Sequence, residues 1–312
     1  MGGTLDFIVI GAQRSGTTSL WHALADHPQI HIPASKEAPF FSHATFERGL
    51  SWYLAEYFCD AAPDRLWGTV SPQYMMGSRH ADEGEIARRI RASVPQAKLI
   101  AILRDPLERA WSQYRQLAHR GGESRSFEAV VSQLLEPAAL RDARRPGASQ
   151  RGCQRYIVAG EYGRLLGAYL DVFPRERLHT LFTSDLARDP HETLRSVFEF
   201  LGVEATRRMN GGPTRHNRGG VARRIDEQAE ASLKDYLARE VWPAMPWPRL
   251  AERAFDFWLM EWNVVAEEAS PQLSPALRSR IEAHFDADAA RLEALLGAPV
   301  PWRPQRVSAG AA

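Results

Sequence analysis

Residues 7–24 read FIVIGAQRSGTTSLWHAL, and few folds can take such a stretch. A β-branched apolar run ends in Gly11, and Leu20, Trp21 and Leu24 then recur at helical spacing. A buried strand therefore feeds a helix through a glycine-bearing turn. Gly11 and Gly16 have the G-x-x-x-x-G spacing of a phosphate-binding loop, and Thr18 has its hydroxyl. Thr17 stands where such a loop carries the lysine that reaches the β- and γ-phosphates. The stretch reads as an anion nest of backbone N–H groups at a helix N-terminus. Arg14 adds a fork of donors and a permanent charge. Arg14, Ser15, Gly16, Thr17, Thr18 and Ser19 are its candidate anion-binding residues, and the missing lysine argues against ATP or GTP hydrolysis.

The same alternation continues down the chain. Strands are expected at Leu5–Ile10, Ile30–Ile32, Leu66–Val70, Lys98–Leu103 and Leu178–Phe182. Helices are expected at Thr17–Asp26, Ser51–Phe58, Ala81–Ser93, Pro106–His119, Ile157–Val172 and His191–Leu201. The expected fold is α/β, P-loop-like and three-layered, with a central, mainly parallel sheet. Residues 120–126, 136–152 and 203–224 read as polar loops. A tryptophan-rich helical stretch (225–265) and an amphipathic helix (Leu277–Leu296) follow. Residues 1–220 are thus expected to form the core, with 221–312 a helical C-terminal extension packed on it.

The 312 residues suffice for a large core. A net charge of +1 gives no bulk field for nucleic acid or a membrane surface, so an anion site must come from local basic groups. No apolar run reaches the roughly 18 residues of a membrane span. Residues 1–11 enter the first strand with no secretory leader. Cys59 and Cys153 lie in no metal spacing and read as free thiols of a reducing, cytoplasmic compartment. No His/Cys/Asp cluster has metal spacing, so no metal is expected.

A second motif, LIAILRDPLERAWSQY, spans residues 99–114. It places Arg104 at the carboxyl end of a strand, where α/β folds bind ligands, and Ser112 two turns into the next helix. The two reach one phosphate if that helix lies back beside the strand. Read alone, Arg104 would pair with Asp105 or Glu108. Glu37 precedes Phe40 and Phe41, which could wall it from water. Read alone, it forms a loop ion pair with Lys36, worth little. His43 is a second loop residue suited to proton transfer. In TRHNRGG (Thr214–Gly220), Arg215, Asn217 and Arg218 precede Gly219, a composition suited to closing over a phosphate or to a plain surface loop. Trp242, Trp247, Trp258 and Trp262 fit an acceptor-site lining, a lipid contact or a helical core cap.

Together, QRSGTTSL and ILRDPLERAWSQY resemble the paired signatures of sulfotransferases that use 3′-phosphoadenosine-5′-phosphosulfate (PAPS). The motifs are like those of heparan sulfate 3-O- and N-sulfotransferases and of bacterial sulfotransferases. SKEAPFFSHATFERGLSWYL (35–54), VFPRERLHTLFTSDLARDPHETLRSVFEFLGV (172–203) and FDADAARLEALLG near the C-terminus support it. The resemblance implies that the first loop binds the 5′-phosphosulfate and that Arg104 and Ser112 bind the 3′-phosphate. It implies closure by Arg215, Asn217, Arg218 and Gly219, with Arg14 stabilising the leaving oxygen and Glu37 as catalytic base; His43 is the alternative base. PAPS has no γ-phosphate, which accounts for the missing lysine. The chain departs from the glycan enzymes at Thr69–Pro72 (TVSP), where they carry an acidic and a basic residue. The implied activity is metal-independent sulfuryl transfer from PAPS to a hydroxyl or amine of a glycan, lipid, peptide or natural product. A P-loop nucleotide kinase and a catalytically inactive nucleotide-binding scaffold are the alternatives.

Overall fold

The computed structural model describes residues 3–33, 36–78, 80–119, 122–145, 155–205, 227–244 and 271–303. Its first half runs β1 (Phe7–Gly11), α1 (Thr17–Ala25), β2 (Ile30–His31), α2 (Leu50–Tyr57), β3 (Leu66–Val70), α3 (Glu83–Ser93), β4 (Lys98–Leu103), α4 (Pro106–His119), α5 (Phe127–Leu134) and α6 (Pro137–Arg144). There follow α7 (Tyr162–Leu170), β5 (Leu178–Phe182), α8 (Thr183–Arg188), α9 (Pro190–Leu201), α10 (Glu227–Tyr236) and α11 (Pro275–Leu296). All four strand pairings are parallel, in the order β2-β3-β1-β4-β5.

Side-chain alternation makes this a three-layer α/β fold. On β1 and β4, Ile8, Ile10, Leu99, Ala101 and Leu103 face a core completed by Ile86 and Ile90 of α3 and Leu165, Leu166 and Tyr169 of α7. Phe7, Val9, Ile100 and Ile102 face the other way, onto Leu20 and Leu24 of α1 and Leu194, Val197 and Phe198 of α9. β1 and β4 are buried on both faces, which is why they read as unbroken apolar runs.

One stretch given no element from the sequence and one expected as a loop are helical. Phe127–Leu134 forms α5, capped by Ser126, whose Oγ accepts from the Ala129 N–H at 3.2 Å. Pro137–Arg144 forms α6, because Pro137 sits in the first helical turn, where its missing N–H costs nothing. The helix expected over Ile157–Val172 is broken. A 3₁₀ turn at Val158–Gly160 meets Glu161 in a non-helical conformation, and α7 starts only at Tyr162.

The C-terminal helix α11 bridges two layers. Leu277, Ile281 and Phe285 pack on α4 and α5, while Ala289 and Leu292 join the core around α7. At its middle lies a buried charge network. Glu161 accepts from Arg144 at 2.6 Å, Arg164 at 2.7 Å and His284 at 3.0 Å. Burial alone would raise this carboxyl, but its hydrogen bonds from His284, Arg144 and Arg164 win and hold it at about 2. A carboxyl lowered from its ordinary 4.5 stabilises the fold above that value, on the order of 3 kcal/mol, and the contribution is lost as pH falls through 4.5 towards 2. In thermal melts from pH 6 to pH 3, Glu161→Gln is expected to start lower and to lose less on acidification than the parent. Parallel curves would mean that other groups drive the acid response.

Candidate active site at the carboxyl edge of the sheet

The loops after β1, β3, β4 and β5 all emerge at one edge, about the strand where the sheet order reverses. After β1, the Ala12 N–H donates to the Ile102 carbonyl at 2.7 Å and ties the loop to β4. Arg14 (φ 68°) and Gly16 (φ 95°) then take left-handed conformations. Glycine does so freely, whereas for Arg14 it costs about 1–3 kcal/mol that the surroundings must supply. The Thr183 hydroxyl is shared between the Ser15 carbonyl at 2.6 Å and the Leu103 carbonyl at 3.0 Å, clamping the loop from the end of β5. Asp82, Asp105, Ser126 and Asp189 accept hydrogen bonds at the starts of α3, α4, α5 and α9. α1, like α2, α6 and α11, has neither: Gly16 gives it no side-chain cap, and its first turn holds no acidic residue. A helix opened this way presents its first-turn N–H groups, Thr17, Thr18 and Ser19 among them, to an external anion.

The two sequence motifs meet here. Arg14 Nε and Nη2 donate to Ser112 Oγ at 3.2 and 3.1 Å. Arg104 instead pairs with Glu108, Nε to Oε2 at 3.0 Å, the local partner that a reading of Arg104 alone suggests. Arg104 thus precedes α4 and Ser112 lies within it, each held by a different neighbour.

Among the described residues, Glu37 is the other non-glycine residue in the left-handed region, with φ 65°. Its N–H donates to the Val70 carbonyl at 3.1 Å, placing it at the end of β3. The hydroxyls of Tyr53, Ser71 and Tyr74 donate to the next carbonyl, Ala38, at 3.5, 3.4 and 3.4 Å. Thr69 Oγ1 accepts from Tyr53 at 3.1 Å. Thr69 and Ser71 of the TVSP stretch therefore pin the Glu37 segment. Phe40 and Phe41 lie in the core and anchor the segment from below, so they do not screen the carboxylate, which is 46% exposed and 2.9 Å from Lys36 Nζ. His43 caps the 3₁₀ turn Ala44–Arg48, its Nδ1 accepting from the Thr45 N–H at 3.3 Å. That contact engages the ring within its own loop, away from the Glu37 carboxylate's partner Lys36.

Arg215, Asn217, Arg218 and Gly219 lie outside the described residues, as do Trp247, Trp258 and Trp262; Trp242 is described and buried. Among the described residues, no group of three His, Cys, Asp or Glu side chains is placed to hold a metal ion, and no helix is long and apolar enough to cross a membrane.

Sequence reading passed over three buried or clamping residues near these loops: Arg109, which lies on α4, Tyr162, which opens α7, and Thr183, which holds the loop after β1. Arg109 is fully buried, donating to Gln113 Oε1 at 2.8 Å and to the Tyr156 carbonyl. Among the described residues no carboxylate pairs with it, and burial draws it down to about 10, which leaves it charged at neutral pH. Its signal was the i, i+3, i+4 spacing of Arg109, Ser112 and Gln113, three polar residues on one helix face. Tyr162 and Thr183 carried no local signal.

A parallel sheet with a phosphate-type loop after its central strand, built from arginine, hydroxyls and a helix N-terminus, defines a P-loop-like α/β protein made to hold an anionic ligand. The chain belongs to the sulfotransferase family, whose sulfotransferase-domain model matches residues 4–228. It is similar to human bifunctional heparan sulfate N-deacetylase/N-sulfotransferase 3, at 32% identity over 206 residues, or 63% of this chain and 22% of that protein. It is similar to mouse bifunctional heparan sulfate N-deacetylase/N-sulfotransferase 1, at 28% identity over 257 residues, or 74% of this chain and 28% of that protein. The match thus spans about a quarter of the length of these relatives. Among solved structures, a sulfotransferase from Alicyclobacillus acidocaldarius shares the fold, with TM-score 0.64 at 24% identity over 96% of this chain and 98% of that one.

Proposed function

We propose that the chain moves a sulfuryl group from PAPS to a hydroxyl or amine of an acceptor and releases adenosine 3′,5′-bisphosphate. The Arg14–Ser112 contact carries this reading, because it joins the residue suited to a phosphosulfate with one suited to a 3′-phosphate. The donor set fits such a ligand: an uncapped helix start, two left-handed loop residues and arginines suit a dianion without a γ-phosphate. PAPS supplies the activated sulfuryl group and its phosphate leaving group. Arg14 and the first-turn N–H groups of α1 stabilise the charge that develops on the leaving oxygen. Glu37 takes the acceptor proton. Arg104 and Ser112 hold the 3′-phosphate, with Arg215, Asn217, Arg218 and Gly219 completing that set.

The N-sulfotransferase activity for which the human and mouse relatives are named makes a glycan amine the first acceptor class to test, ahead of hydroxyls of glycans, lipids, peptides and natural products. Thr69 and Ser71 are engaged in pinning the Glu37 segment, which supports a single catalytic carboxylate. The exposed free thiol of Cys59 supports a reducing compartment such as the cytoplasm.

The test is transfer of labelled sulfur from PAPS onto an acceptor panel in excess EDTA, beside calorimetry with adenosine 3′,5′-bisphosphate. Transfer that survives EDTA is expected. Loss that metal restores, together with ATP turnover, would favour a kinase. Tight binding with no turnover on any acceptor would favour an inactive scaffold.

A further inference from the structure

Thr183 is the first residue after β5, and the parallel register sets it beside Arg104. Leu103, the last residue of β4, pairs with Phe182, the last of β5. The Thr183 hydroxyl reaches the Ser15 carbonyl at 2.6 Å and the Leu103 carbonyl at 3.0 Å. One proton thus bridges two fully buried residues, one in the loop after β1 and one at the end of β4. The methyl group faces the loop as well. A Cβ at residue 16 would stand 3.8 Å from Thr183 Cγ2.

The loop's own shape is held from within. The Ser15 N–H donates to the Ala12 carbonyl at 3.3 Å, which closes the turn. The Leu20 N–H donates to the Gly16 carbonyl at 3.1 Å, so α1 begins at once. The Ala12 N–H ties the root of the loop to Ile102 of β4, and Thr183 ties its far side to Leu103, one residue before Arg104. What the Thr183 bridge fixes is where the loop stands relative to that strand end.

We propose that Thr183 is a positioning residue that sets the span between the two anion-binding parts of the donor site, the loop after β1 and the strand end at Arg104. The inference rests on the reading of those parts as the 5′-phosphosulfate and 3′-phosphate sites. A ligand with two anionic groups gains from the second only if the protein presents both sites at the ligand's own spacing. A mismatch of about 1 Å undoes that fit, because hydrogen bonds lose length and direction together. Adenosine 3′,5′-bisphosphate spans both parts, whereas adenosine 5′-phosphate fills one. The bridge therefore matters to the first ligand and little to the second.

Thr183→Val keeps the shape and the methyl group and removes the bridging proton. For the full chain, calorimetry is expected to show adenosine 3′,5′-bisphosphate binding about 10-fold more weakly, and adenosine 5′-phosphate within about twofold of the parent. Thr183→Ser, which restores the hydroxyl, should return the bisphosphate to within about threefold. Two buried carbonyls without their donor also lower the melting temperature, by about 2–6 °C, so the titrations are run well below both melts. A merely structural role would give the melting shift and weaken both ligands alike. Equal weakening, an unchanged bisphosphate affinity, or no rescue by serine overturns the assignment.

The Arg104→Ala background supplies a second reading. There the 3′-phosphate has lost its anchor, and Thr183→Val is expected to add less than about twofold to the loss for the bisphosphate. Fully additive losses would part Thr183 from the 3′-phosphate and sink the proposal. If Thr183→Val does not fold, Thr183→Ala against Thr183→Ser carries the same comparisons. A parent that fails to bind adenosine 3′,5′-bisphosphate removes the donor reading, and this inference with it. A parent that prefers the bisphosphate, beside an indifferent Thr183→Val, removes this inference alone.

Discussion

Replacing Glu37 with glutamine is expected to cut turnover by about 10²-fold or more, while adenosine 3′,5′-bisphosphate binds within about threefold of the parent. The separation follows from how the residue is held. The left-handed backbone of Glu37 is fixed by main-chain and neighbouring groups: its N–H on Val70, and the Ala38 carbonyl under the hydroxyls of Tyr53, Ser71 and Tyr74. None of these contacts involves the carboxylate. Glutamine keeps the shape and the anchor, and the lost pairing of the half-exposed Glu37 carboxylate with Lys36 costs little. What is lost is a group able to accept the acceptor's proton. Steady-state turnover with labelled PAPS, beside calorimetry on the same preparation, reads both quantities. Near-parental turnover in Glu37→Gln with an inactive His43→Ala would return the base to His43, against its role as a cap.

The sheet was legible because its central strands are buried on both faces. Phe7–Gly11 and Lys98–Leu103 carry enough consecutive apolar residues that no other element fits. The donor loop was legible because its constraint is local: a glycine able to turn left-handed, directly between a strand and a helix. Helices α5 and α6 were not, since Gly, Pro and Arg around them imitate a loop and only Pro137 at a helix start tells otherwise. Thr183 and Tyr162 were out of reach for a different reason. Thr183 lies 168 residues from the Ser15 carbonyl it meets, and the start of α7 at Tyr162 is set by Asp288 of α11. Tertiary packing creates those roles, and no local pattern records them. At Arg104 the reading divided. Its place at the strand end was clear, but its present partner is Glu108, which the i, i+4 spacing also offered.

That division makes Arg104 the sharpest test of the donor. Arg104→Ala is expected to weaken adenosine 3′,5′-bisphosphate by about 10²-fold, roughly 3 kcal/mol, and adenosine 5′-phosphate hardly at all. The two ligands differ only in the 3′-phosphate, so the difference isolates the group that Arg104 is assigned to hold. The Glu108 ion pair sharpens the contrast. Glu108 is mostly exposed, and its bond to Arg104 at 3.0 Å occupies the Nε that a phosphate would use. An exposed pair of this kind contributes about 1 kcal/mol or less, whereas a phosphate offers a doubly charged, bidentate partner. The phosphate should therefore displace Glu108, and Glu108→Gln should tighten adenosine 3′,5′-bisphosphate severalfold by removing the competitor. Asp105 caps α4 independently of both side chains, so neither change should move the helix that carries Ser112. If Arg104→Ala weakens both ligands equally, Arg104 supports the end of β4 and the 3′-phosphate is held elsewhere. If Arg104→Ala discriminates but Glu108→Gln has no effect, the phosphate meets the guanidinium on its Nη edge and the pair with Glu108 survives binding.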